Sequence, residues 1–234
     1  MLQFVIYARM ENNLITYNLG DGVEAFTAGR QAPLPYPVIQ GHQVHDCRIA
    51  LIDRPGMTRE ELEGYDAFIT ALPGVAIGVR TADCVPILLY DSSMRVVAAV
   101  HAGWRGTVLD IVGKTIAEMN SRFGCKAENL CALIGPAIGP DSFQVGEEVV
   151  ERFRDAGFPM DEIHTFRGSG DGRAMSGGHH IDLFAANRIL LCRSGVAPAN
   201  IQLCGTDTYT TPALYSARRE GTECGRNINA IRLI

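Results

Sequence analysis

Apolar runs of five to seven residues, rich in β-branched side chains and closed by turn residues, recur along the chain at 2–8, 47–52, 75–80, 85–90, 95–101 and 130–134. Runs so short and so uniformly apolar predict strands of a sheet covered on both faces, because a half-exposed strand would alternate. Between them the period changes. Val108, Ile111, Val112, Ile116 and Met119 recur at helical spacing and Gly124 stands at a C-cap position, which predicts a helix over 107–123. Two further helices are predicted over 146–153 and 182–193, the second with Asp182 as its N-cap. Residues 167–178 combine glycines with a lack of periodicity and read as a mobile surface loop, closer to a lid than to a linker. Strands interleaved with helices make this an α/β (α+β) chain. Residues 1–234 read as a single domain, with strand order undetermined.

Composition narrows the class. The chain has 234 residues, 47% of them hydrophobic, enough to bury a sizeable core. A net charge of -5 with no run of lysine or arginine predicts no nucleic-acid and no membrane partner. An anionic ligand would have to be held by local groups. No basic segment followed by an apolar leader stands at the start and no stretch is apolar enough to span a bilayer, so the expected location is cytoplasmic. Seven cysteines without a Cys-x-x-Cys pair predict reduced thiols.

Three of the chemistry-bearing side chains stand out. Cys84 lies in Thr81-Ala82-Asp83-Cys84-Val85-Pro86, His101 in Val100-His101-Ala102-Gly103-Trp104-Arg105-Gly106, and His45 in Gly41-His42-Gln43-Val44-His45. Two imidazoles and a thiolate can hold a catalytic zinc with one position open. Each residue also has a plainer reading. Cysteine is among the most buried residue types, a histidine at the end of an apolar run can be a core residue, and His42 competes with His45. Cys84 and His101 alone would equally suit a nucleophile and its base in a metal-free cysteine hydrolase or amidase. Asp83 can transfer a proton or orient a ligand, and Arg105 can bind an anion or pair with a carboxylate. The glycines before Thr107 lead into a predicted helix whose N-terminus could hold a phosphate.

At these residues the chain resembles the laccase-domain family, also called multicopper polyphenol oxidase-like and regarded as purine nucleoside phosphorylases. The segments TADCVPILLYD, VAAVHAGWRGT, IGPAIGPDSFQVGEEV and YSARREGTECGRNINAIRLI carry the resemblance, which runs from about Asn18 to the C-terminus. It implies a single α/β/β/α-type sandwich with mixed β-sheets. It also implies zinc ligands at His45, Cys84 and His101, with phosphorolysis of adenosine, inosine, guanosine and methylthioadenosine and hydrolytic deamination of adenosine. The partners implied are a nucleoside and phosphate, with the chain a monomer or homodimer. Asp83, Cys84 and His101 are the expected catalytic residues, and Arg105, Arg218 and Arg30 the expected phosphate or substrate contacts. Arg9 and Arg30 stand where the family carries N-terminal arginines, although the family's N-terminal Thr-Arg-x-Gly-Gly-Val-Ser motif is absent. The older copper-dependent polyphenol oxidase (laccase) reading fits less well, because six histidines with no His-x-His pair are too few for a blue-copper site plus a trinuclear cluster. A His2Cys set can nevertheless bind copper in place of zinc.

Overall fold

Two β-sheets face each other at the centre of the computed structural model, which describes residues 9–168 and 178–234. In chain order the strands begin with β1 (Arg9–Glu11), β2 (Leu14–Tyr17), β3 (Val23–Ala28), β4 (Ile49–Leu51), β5 (Ala67–Thr70), β6 (Ile77–Thr81), β7 (Val85–Asp91) and β8 (Val96–Ala102). Helices α1 (Trp104–Val108) and α2 (Ile111–Phe123) follow, then β9 (Leu130–Ile134), β10 (Gln144–Val145), α3 (Glu147–Asp155), α4 (Met160–Ile163), β11 (His164–Arg167) and β12 (Gly178–Ile181). The chain ends with α5 (Leu183–Arg193), β13 (Ile201–Leu203), α6 (Ala217–Glu220) and β14 (Asn227–Leu233).

A six-stranded sheet runs β13-β9-β7-β8-β5-β4 and a five-stranded sheet runs β1-β2-β3-β14-β6; a three-stranded sheet, β10-β12-β11, stands apart from both. The six-stranded sheet is mixed, because β13 is parallel to β9 and β4 to β5 while its other pairs are antiparallel. Its two faces are both buried, and the side-chain period of two sorts the residues between them. Val85, Ile87 and Leu89 of β7 and Val96, Ala98 and Val100 of β8 pack with Val112, Ile116 and Met119 of α2 and Leu190 of α5. Leu88, Tyr90, Val97 and Ala99 face the other way, against Ile77, Val79, Ile231 and Leu233 of the five-stranded sheet. The result is the mixed α/β sandwich expected from the order of elements. Ile87 is fully buried at its centre. Ile87→Ala is therefore expected to cost about 2–5 kcal/mol, measured as a lower denaturation midpoint with an unchanged slope.

Strands β4, β6, β7, β8 and β9 fall within the predicted apolar runs or one residue beyond them; α5 lies within its predicted helix, and α3 runs two residues past the end of its own. Asp182 caps α5, its side chain accepting from the Ala185 N–H. The helix predicted over 107–123 is corrected to two helices. Asp110 takes a left-handed conformation (φ 55°), and its carboxylate accepts from the Gly113 N–H, so it ends the first turn and caps α2. No helix therefore begins at Thr107. The strand predicted over 2–8 lies outside the described residues, as does nearly all of the loop predicted over 167–178. Among the described residues no helix is long and apolar enough to cross a membrane.

Candidate metal centre

The antiparallel pairing of β7 and β8 sets Val85 opposite Ala102 and Pro86 opposite His101. Cys84, one residue before β7, consequently lies beside Gly103, one residue after β8. A Cβ on Gly103 would sit 3.0 Å from the Cys84 Sγ and 3.2 Å from the His45 Cδ2, so the bare backbone at this position keeps open the space between the two side chains. His101 falls on the face of β8 shared with Val97 and Ala99 and is buried. His45 arrives from the 41–46 segment. Its ring meets that of His101 edge to face, with centroids 4.8 Å apart. The ligand atoms of His45, Cys84 and His101 all lie within 4.8 Å of one another, and no other such group of three occurs among the described residues. His42, the competitor of His45, instead pairs at 2.8 Å with the exposed Glu63.

One buried carboxylate organises this cluster. Asp66, fully buried just before β5, accepts from the backbone N–H groups of Val44, His45 and Asp46 at 3.1, 2.9 and 3.1 Å. Three successive amides around an anion form a nest, and His45 takes a left-handed conformation (φ 65°) within it. The same carboxylate meets the His101 Nδ1 at 2.7 Å, which leaves Nε2 as the nitrogen that can face a ligand. Gln43 fixes the approach of the segment by bonding both the N–H and the C=O of Arg80.

The electrostatics follow from burial and pairing. Burial alone would push the Cys84 thiol up, but the charge of His101 and hydrogen bonds from His101 and His45 bring it down to about 6. Burial alone would lower the pKa of His101, but Cys84 and Asp66 raise it to about 9. Asp66, despite its own burial, is held below the usual carboxylate range by His101 and the amides. The pairing thus favours the thiolate and imidazolium forms of the two groups. A divalent cation that takes the His101 Nε2 must displace its proton. From these two groups, binding is expected to release about one proton per ion between pH 7 and 8, approaching two below pH 6, so affinity rises with pH up to about 9. Calorimetry in buffers of different protonation enthalpy reads that number directly, and a value near zero at neutral pH would contradict the assignment.

The other residues expected at the site are not brought to it. Asp83, also left-handed (φ 89°), gives its carboxylate to the Thr208 hydroxyl and the Arg218 N–H, both at 2.7 Å. It anchors α6 instead of facing the cavity. Arg105 lies over the Trp104 ring, 4.4 Å from its centroid. Arg218 donates to the Ser142 and Gln144 carbonyls, and Arg30 pairs with Glu220 at 2.6 Å over the Tyr215 ring. The arginines that line the cavity with His45, Cys84 and His101 are Arg59, Arg80 and Arg226, around a volume of about 470 Å³. Arg226 is oriented by the Thr222 and Cys224 carbonyls. Arg59 and Arg80 have no hydrogen bond or ion pair to their guanidiniums among the described residues. Burial and the charges of Arg59 and Arg226 depress the Arg80 pKa, as expected for cations gathered without a counter-ion. Arg80, four residues before Cys84, and Arg226, just before β14, lay beside recognisable motifs, whereas nothing local marked Arg59. Asp66 carried one weak signal, an aspartate immediately before the apolar run Ala67-Phe68-Ile69.

The model of the family described as multi-copper polyphenol oxidoreductase laccase matches residues 23–234. The chain is 43% identical over 203 residues to adenosine deaminase RL5 of an unknown prokaryotic organism, covering 83% of this chain and 74% of that one. It is 39% identical over 207 residues to a purine nucleoside phosphorylase of Bacteroides thetaiotaomicron, covering 86% and 74%. Among solved structures, the hypothetical protein YfiH of Bacillus licheniformis superposes with a TM-score of 0.85 at 22% identity, over 97% of this chain and 99% of that one. At that identity the likeness speaks to the fold.

Proposed function

This chain belongs to the multi-copper polyphenol oxidoreductase laccase family, and we propose that within it the chain is a metal-dependent purine nucleoside phosphorylase acting at His45, Cys84 and His101. The observation that carries the reading is the meeting of three side chains able to hold a metal ion and three arginines around one cavity. Relatives named purine nucleoside phosphorylase and adenosine deaminase support the same class of substrate.

The donor set suits zinc: one thiolate, two imidazoles, an outer carboxylate on His101, and open space beside Gly103. When bound, the ion supplies Lewis acidity at that open position. Copper outranks zinc in intrinsic affinity for such donors, so copper in a purified sample would not by itself imply an oxidase. Arg59, Arg80 and Arg226 bind the phosphate anion and hold it against the sugar carbon, which turns a bimolecular attack into a positioned one. Their charge also offsets the negative charge carried by the incoming oxygen. Asp66 keeps His101 in one tautomer and holds the His45 backbone in its strained conformation.

Purified protein is expected to release hypoxanthine from inosine only when inorganic phosphate is present, and Cys84→Ala is expected to abolish the release. Equal release with and without phosphate would sink the phosphorylase reading. Arg80→Gln is expected to raise the KM for phosphate about tenfold or more while metal content stays unchanged. Deamination of adenosine at the same centre is the companion proposal, with phosphate-independent release of ammonia as its assay.

A second reading has one observation in its favour. The Cys84 thiolate facing a protonated His101 is also the resting state of a cysteine hydrolase or amidase. Activity that survives chelators and disappears on alkylation by iodoacetamide would select it.

A further inference from the structure

Arg59 and Arg80 line two cavities. One is the site cavity with His45, Cys84 and His101; the other, of about 570 Å³, is lined by the same two arginines. Val38, Ile39, Met57, Val75 and Ala76 give the second cavity apolar walls, and Arg232 lines it as well. Arg232 is already engaged, paired with Glu24 at 2.7 Å and stacked on Tyr36 with its Cζ 3.5 Å from the ring centroid. No aspartate or glutamate lines the second cavity among the described residues. Its only uncompensated charges are therefore those it shares with the site.

We propose that this second cavity is a binding site for an organic phosphate monoester, the phosphoryl group held by Arg59 and Arg80 and an apolar or aromatic body lying between Val38, Ile39, Met57 and Val75. A phosphate dianion suits two convergent guanidiniums better than a single carboxylate would, since each fork can donate twice. The cavity volume falls within the range of small-molecule sites, and apolar walls with a few fixed polar groups are their usual lining. Because the guanidiniums are shared, such a ligand and inorganic phosphate exclude each other. The second cavity thereby gives the enzyme a means of being inhibited by phosphorylated metabolites, and this part of the inference rests on the proposed phosphorylase activity.

The test is calorimetric titration of the purified protein with 1-naphthyl phosphate and, separately, with inorganic phosphate. The naphthyl ester is expected to bind at least about tenfold more tightly, because only it fills the apolar part of the cavity. Val75→Trp and Met57→Trp each obstruct a wall while leaving every site residue in place, and two variants guard against one failing to fold. In either folded variant the preference for the ester is expected to vanish while the affinity for inorganic phosphate is unchanged. Equal affinity of the two ligands for the unmodified protein overturns the proposal, as does a preference that persists in the folded wall variants, which would seat the naphthyl group in the site cavity. Absence of phosphate-dependent base release alongside wall-sensitive ester binding counts against the phosphorylase reading alone. Base release without wall-sensitive binding counts against the second cavity alone.

Discussion

Cys84→Ser is expected to remove catalysis outright and to weaken divalent metal binding by more than about a hundredfold, beyond the 10- to 100-fold typical of losing an outer-sphere partner. The expectation follows from charge. Cys84 is the anionic donor of the three, and its thiol is brought down to about 6 by the two histidines that surround it. A serine hydroxyl keeps its proton at any working pH, so the centre loses its negative charge as well as its soft ligand. His101 then loses the thiolate that raises its pKa, and retains Asp66 as its charged partner. Metal content by mass spectrometry and base release measured on the same samples check the claim; a serine variant that holds metal and turns over normally would remove Cys84 from the site.

Asp66→Ala is expected to act on both stability and metal affinity, by about 3–5 kcal/mol in the first. The carboxylate is fully buried, and its removal leaves three backbone N–H groups and the His101 Nδ1 without their acceptor. Asp66→Asn separates the two effects. Asparagine keeps the volume and one acceptor but withdraws the charge, so its stability loss is smaller while metal affinity still falls about 10- to 100-fold. Chemical denaturation together with a competitive zinc titration distinguishes these outcomes. An asparagine variant with unimpaired metal affinity would reduce Asp66 to a structural anchor.

The parts of the fold legible in the sequence are those whose environment is uniform. β7, β8 and β9 are buried on both faces, so their apolar runs stand out against any neighbour. The second sheet was less visible because its inner strands carry polar residues. β14 buries Asn227 and Asn229, and β3 buries Thr27, whose hydroxyl donates to the Asn229 side chain at 2.7 Å. The break at Asp110 was invisible because an aspartate on a helix surface is ordinary until its φ is known. At the site, Cys84 and His101 stood out by their place at the ends of apolar runs, and the resemblance of the flanking motifs singled out His45 over His42. The anion-binding residues were sought next to motifs, at Arg105, Arg218 and Arg30, and each of these is occupied by a ring, a carbonyl or a carboxylate. The cavity draws its arginines from β6, from the segment before β14 and from the loop before β5, a convergence that exists only once the sheets have packed.

The most direct test of the central claim is phosphorus NMR of a reaction containing zinc-loaded protein, inosine and inorganic phosphate. A sugar 1-phosphate signal growing in step with hypoxanthine, absent with Cys84→Ala, is the predicted result. Hypoxanthine accumulating with free ribose and no new phosphorus signal would contradict it.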